Sequence, residues 1–191
     1  MSDQLILGFD TSAAHCAGAL LRGDRLLAAR AEEMSRGQAE RLMGLLEEVL
    51  AEGGATWADL SALGVGVGPG NFTGIRISVA AARGLALALD IPAHGIDGFA
   101  ARRWIAGTDG PVGVPAPRDH VWLSESGTAG RQVLRAEAGA LPEEPSPAAL
   151  AEAIARLAAE RPQADTTAPA PLYLRAADAA PASDRPPALL D

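Results

Sequence analysis

The 191-residue chain contains no lysine: all 16 of its basic residues are arginine. That absence excludes Schiff-base chemistry, pyridoxal enzymes and the phosphate-gripping lysine of a P-loop. A single cysteine, Cys16, admits neither an internal disulfide nor a thiol-based zinc site. His15, His94 and His120 lie far apart in sequence, so no metal site is predicted. No apolar run reaches the roughly 18 residues of a bilayer span. Met1-Ser2-Asp3-Gln4 also lacks a basic leader region, and the expectation is a soluble, cytoplasmic protein without membrane contact. Charged residues are few, 21 % against 48 % hydrophobic, which fits a globular chain and excludes a disordered tail or a coiled coil. The net charge of −8 repels nucleic acid, so any RNA contact must be local or supplied by a partner.

What is present reads as an α/β pattern. Leu5 to Phe9 is a nearly continuous apolar run ending at Asp10, as in a strand buried on both faces. Cys16–Leu21 and Arg25–Arg30 flank the polar turn Arg22-Gly23-Asp24 and predict a hairpin. Between Gln38 and Ala51, Leu42, Met43, Leu45, Leu46, Val49 and Leu50 recur at helical spacing until Gly53-Gly54. A buried strand at Ala62–Val67 leads through Gly68-Pro69-Gly70-Asn71-Phe72-Thr73-Gly74 into a helix over Ile75–Leu89, and a short strand follows at Ala93–Ile96. Beyond Phe99 the pattern thins, with Pro111, Pro115 and Pro117 and a strand pair at His120–Leu123 and Arg131–Arg135. Ser146-Pro147 supplies an N-cap and first-turn proline for a helix carrying Leu150, Ile154 and Leu157. Residues 176–191, mostly Ala, Pro and Asp, read as a loose tail.

Two segments could carry chemistry. Gly64, Gly66, Gly68 and Gly70 alternate without the spacing of a dinucleotide fingerprint. Gly68, Gly70, Asn71, Thr73 and Gly74 form either an anion-binding strand-to-helix turn or a tight turn needing glycine for its backbone alone. Asp10, with Thr11 and Ser12 beside it, either holds a phosphate-associated metal or closes a side-chain turn. Arg76, placed in the first turn of its helix, opposes the helix dipole and calls for an acidic partner: a phosphate, a carboxylate of this chain, or one on another subunit. A nucleophile–base pair at His15-Cys16 is disfavoured, because neighbours on a strand point to opposite faces. Small residues on most sides of the 75–89 helix let another helix approach closely, within the chain or from a partner.

The chain resembles the bacterial TsaB (YeaZ) family of tRNA threonylcarbamoyladenosine synthesis from Leu5 to about Gly98. The resemblance rests on Asp10-Thr11-Ser12, on Arg36-Gly37-Gln38-Ala39-Glu40-Arg41-Leu42 and above all on Val67-Gly68-Pro69-Gly70-Asn71-Phe72-Thr73-Gly74-Ile75-Arg76. A closing Pro171-Leu172-Tyr173-Leu174-Arg175 adds to it. Asn71 stands where the family usually has Ser, and Gln38-Ala39 where it has His-Ser. The resemblance implies an α/β fold of actin-like, sugar-kinase and Hsp70 ATPase type (ribonuclease H-like) lobes, a mixed sheet with flanking helices. The first lobe would span residues 1–100 and a smaller one 101–191. It also implies a non-catalytic subunit that pairs with the TsaD paralogue and helps recruit the TsaE ATPase. TsaD transfers threonylcarbamoyl to N6 of adenosine 37, and tRNA is met only through the complex.

On this reading the chain alone binds no cofactor, ATP acts at the level of the complex, and a homodimer forms when the partner is absent. The partner interface would use Arg36, Gln38, Arg41, Leu42, Leu45, Leu46, Arg76, Ser78, Ala81 and Leu85. The alternative is an active ATP-dependent enzyme built on Asp10, Thr11 and the 68–74 turn. No second phosphate loop or adenosine-binding glycine pair follows Gly98 to support it.

Overall fold

A computed structural model describes residues 3–125, 128–162 and 164–174. Strand β1 (Leu5–Asp10) is buried along its whole length. It pairs antiparallel with β2 (His15–Arg22), and β2 pairs antiparallel with β3 (Arg25–Glu33). On the other side of β1 lie β4 (Ala62–Gly66) and then β5 (Ala93–Ile96), both parallel, which gives the order β3-β2-β1-β4-β5.

Parallel neighbours need crossovers, and α1 (Gln38–Glu52) and α2 (Phe72–Leu89) supply them. Leu42, Leu45, Leu46 and Val49 of α1 and Ile75, Val79 and Ala82 of α2 join Leu5, Leu7, Phe9, Leu63 and Val65 in one core on one face. Because strand side chains alternate, Ile6 turns to the opposite face. There it meets Ile154, Ala155 and Ala158 of α4 (Pro147–Ala159). The contact is close because both sides are small. A Cβ on Gly8 would stand 2.5 Å from the Ala151 carbonyl oxygen and 2.6 Å from the Ala155 nitrogen.

The remaining elements form a smaller layer. Helix α3 (Gly98–Ala106) is capped by Asp97, whose carboxylate accepts from Phe99 N and Ala100 N. Arg103 of α3 donates to the Ser124 carbonyl at 3.0 Å and its hydroxyl at 2.9 Å. Those bonds tie α3 to a three-stranded antiparallel sheet of β6 (Val112–Ala116), β7 (His120–Ser124) and β8 (Arg131–Leu134).

Four sequence expectations change. The α3 and β6 elements were not anticipated. Pro115 is tolerated in β6 because among the described residues that strand pairs on one side only, with β7. Helix α4 belongs to the 101–191 segment but packs on the 1–100 sheet, so the two segments share a core. Helix α2 begins at Phe72, not Ile75, and its 18 residues, with mean hydropathy 1.4, are long and apolar enough to cross a membrane by length and composition. It is nevertheless a sheet crossover, with Ile75, Val79 and Ala82 in the core and Arg76 and Arg83 exposed. The 176–191 tail lies outside the described residues.

Candidate functional site

Asp10 ends β1 beside the carboxyl end of β4, and the 11–14 turn after it faces the 67–74 turn. The carboxylate is 3 % exposed and its Oδ2 is fully engaged. It accepts from Ser12 N at 3.1 Å, Ser12 Oγ at 2.9 Å and His15 Nε2 at 2.7 Å. Its Oδ1 abuts Gly66, where an added Cβ would collide with it. Thr11 Oγ1 donates to the Gly74 carbonyl at 2.7 Å, and Asn71 N donates to the Ser12 carbonyl at 2.6 Å. Side chains on Gly70 and Gly74 would strike the carbonyls of Ser12 and Thr11. The two turns are therefore pressed backbone to backbone.

The glycine turn also makes contacts of its own. Gly74 N donates to Asn71 Oδ1 at 2.8 Å, which makes Asn71 the N-cap of α2, and Gly98 N donates to the Gly68 carbonyl at 2.8 Å. Asn and Ser cap helices about equally well, so Asn71 in place of the family's Ser keeps the function. Glycine here allows close approach of two chain segments, and Asn71 N and Gly74 N donate within the protein. Thr73 is exposed and makes no side-chain hydrogen bond among the described residues. A cation at Asp10 would first have to displace Ser12 and His15. Among the described residues no group of three His, Cys, Asp or Glu side chains is placed to hold a metal.

His15 is the residue whose role the sequence did not reveal. It faces Asp10, while its neighbour Cys16 enters the α1 side of the core. Burial raises the Cys16 thiol to about 11, against a smaller opposing pull from Arg41, so a catalytic thiolate is not available there.

Arg76 also finds an unexpected environment. With Asn71 as N-cap it is the fifth helical residue, past the first turn, where the dipole penalty has decayed. No carboxylate of the described residues pairs with it. Its guanidinium carbon sits 3.7 Å from the centroid of the Phe72 ring, and its Nε donates to Tyr173 Oη at 2.8 Å. The Phe72 and Tyr173 rings stand 5.0 Å apart, and Leu172 N donates to the Val67 carbonyl at 2.8 Å. The closing Pro171–Leu174 segment thus docks on the glycine-turn motif; Arg175 lies outside the described residues.

The residues expected at a partner interface divide sharply. Leu42, Leu45, Leu46 and Ser78 are enclosed in the chain's own interior and present no surface. The correction has a simple cause, since α1's apolar stripe is spent on β2 and its neighbours. Arg41 is held by Glu32 at 2.6 Å and Glu48 at 2.9 Å, and its guanidinium keeps both carboxyls below the usual range. Arg36 and Arg76 are exposed, Gln38 donates to the Met34 carbonyl, and Ala81 and Leu85 are half-buried at the core's margin.

A mixed 3-2-1-4-5 sheet whose first strand ends in a carboxylate against a glycine turn is a ribonuclease H-like lobe of the actin-like class. The family described as TsaD, tRNA N6-adenosine threonylcarbamoyltransferase, matches residues 30–111. The TsaB protein of Escherichia coli is 36 % identical over 91 residues, 48 % of this chain and 39 % of that one. The Buchnera aphidicola TsaB is 36 % identical over 96 residues, 50 % and 45 % of the two chains. YeaZ from Pseudomonas aeruginosa superposes with a TM-score of 0.57 at 29 % identity, over 74 % of this chain and 72 % of that one. A further Pseudomonas aeruginosa structure, an uncharacterized protein with similarity to peptidase YeaZ, gives 0.73 over 90 % and 100 % at 23 % identity, a likeness of fold. Over this region the chain is similar to the TsaB (YeaZ) proteins. The matches span less than half the length of these curated relatives.

Proposed function

We propose that this chain serves tRNA N6-threonylcarbamoyladenosine synthesis as a non-catalytic subunit that pairs with a TsaD-type transferase and helps recruit a TsaE-type ATPase in the cytoplasm. The observation that carries the reading is the closure of the Asp10–Ser12 and 67–74 turns on each other. In an ATP-dependent enzyme of this class, those segments would have to open toward phosphate and metal. Here a histidine and a serine occupy the carboxylate, Thr11 Oγ1 donates to the Gly74 carbonyl, and Asn71 N donates to the Ser12 carbonyl. The family relationship supplies the pathway, and the acidic surface suits a protein partner better than direct tRNA binding. ATP and tRNA act through the assembled complex, and the contact surface is the solvent side of α1 and α2, including Arg36 and Arg76. The test is to add the chain to its cognate TsaD-type protein and measure complex formation by analytical ultracentrifugation. A stable heterodimer is expected, with no ATP hydrolysis by the chain alone. ATP turnover abolished by Ser12→Ala would replace this reading with the enzyme alternative.

A further inference from the structure

The face of the five-stranded sheet opposite α1 and α2 carries a groove of its own. Helix α4 packs there on the sheet, and Ala101 and Ile105 of α3 join the same core. Along the seam of the two helices lie two hollows of about 340 and 240 Å³, and Glu160 at the end of α4 lines both. Ala100 and Trp104, one helical turn apart on α3, form one wall, and Leu157 and Ala159 of α4 form the other. Gln4 and the β2–β3 turn at Asp24 close the larger hollow.

Trp104 is a large aromatic side chain left 42 % exposed. The Arg156 guanidinium carbon stands 5.5 Å from its ring centroid, tied by Glu152 at 2.7 Å and by the Asp24 carbonyl at 3.2 Å. The charge of Arg156 is therefore already balanced. Asp24 and Glu160 are exposed on the same hollow, and neither has an ion pair among the described residues. Counting Glu152 and Asp97, four carboxylates stand along the groove against two guanidinium groups, Arg156 and Arg161. The last-turn carbonyls of α4 add negative potential at this end. A concave, net negative site beside a partly bare indole suits a flat cation, which the ring attracts and whose N–H groups the carboxylates accept. Guanidinium meets both demands, whereas a compact ammonium offers the charge without the plane.

We propose that this groove docks an arginine side chain of a protein partner, stacked on Trp104 with its guanidinium nitrogens on Asp24 and Glu160. A tryptophan in a small hollow ringed by polar groups has the composition of an interface anchor. The site lies across the sheet from α1 and α2, so its occupancy leaves that face free and does not depend on the function proposed above.

The test uses N-acetyl-arginine methylamide as the probe, titrated into the full chain at low salt while the indole N–H signals are followed by NMR. Trp104 is identified by the signal lost in Trp104→Phe. A saturating shift of that signal is expected with a Kd on the order of 1–10 mM. Asp24→Asn combined with Glu160→Gln should weaken binding at least about tenfold, and added salt should weaken it in the parent. The isosteric citrulline derivative, which is uncharged, should not saturate. Indole signals of Trp57 and Trp122 at their original positions show that the double variant is folded. No saturation by about 50 mM probe, unchanged affinity in the folded double variant, or equal binding of the citrulline derivative would overturn the proposal. Tighter binding of free arginine, whose termini are charged, would overturn it in favour of a small-molecule pocket.

Discussion

Gly66→Ala probes the junction between β1 and β4 most directly. The nearest atoms to an added Cβ are Oδ1, Cγ and Cβ of Asp10, with Oδ1 far closer than the 3.0 Å that Cβ atoms in proteins respect. Gly66 has no positive φ, so alanine is allowed by the backbone, and in open space the change would stabilise by about 0.4–1 kcal/mol through the unfolded chain. Relief of the clash requires the carboxylate to swing away from Ser12 N, Ser12 Oγ and His15 Nε2. Hydrogen bonds to a charged group are worth about 1.5–3 kcal/mol each. Losing two of the three outweighs the entropic gain and leaves a net cost of about 3 kcal/mol. For a chain of this size that is a fall in Tm of roughly 6–12 °C. The control is the same change in an Asp10→Ala background, where the colliding atoms are gone and only Cβ at 3.2 Å remains. Chemical denaturation of the four proteins should give a coupling energy of about 2 kcal/mol or more, with the double variant less destabilised than the sum. Additive costs, or a Gly66→Ala cost below about 1 kcal/mol, would refute the packing described.

Three further outcomes follow from the same structure. Cys16, buried and raised to about 11, should resist alkylation by iodoacetamide at pH 8 in the folded chain and react fully in denaturant. His94 is 4 % exposed, its Nε2 has no partner, and desolvation lowers its pKa. The unfolded chain therefore binds the proton first, so stability should fall as pH drops below about 6.5, by no more than about 1.4 kcal/mol per pH unit for this group. Thermal melts from pH 7.5 to 5.5 should show that slope reduced in His94→Phe. Arg76→Ala should cost about 1 kcal/mol or less by denaturation, since it loses a solvent-exposed cation–π contact and the Tyr173 bond.

Much of this architecture was legible because period and punctuation coincide. The continuous Leu5–Phe9 run, the α1 leucines and the Ser146-Pro147 cap each specify their element locally. Helix α3 is hard to read from sequence although Asp97 and Gly107 are good start and stop signals, because it is short and its buried face includes Arg102, paired with Glu144. The prolines around β6 concealed a strand that an edge position permits. At the site, Asp10 and the glycine turn could be singled out by residue type. Their mutual closure could not, because it depends on parallel pairing of β1 and β4, 56 residues apart at Ile6 and Ala62. His15 was hidden for a related reason: its partner is reached by the turn back into β2, not by sequence adjacency. Likewise Tyr173 meets Arg76 across 97 positions, a contact no local pattern encodes.

The central claim is that the chain acts as a subunit without chemistry of its own in threonylcarbamoyl transfer. Its most direct test is reconstitution with a TsaD-type transferase, a TsaE-type ATPase, threonylcarbamoyl-adenylate, ATP and tRNA, scoring modified adenosine 37 by mass spectrometry. The account predicts that modification requires the chain and is retained when Ser12 and Thr73 are both changed to alanine, because neither hydroxyl serves a reacting phosphate. Modification that proceeds equally without the chain, or that is lost in this folded double variant while the complex still assembles, would contradict it.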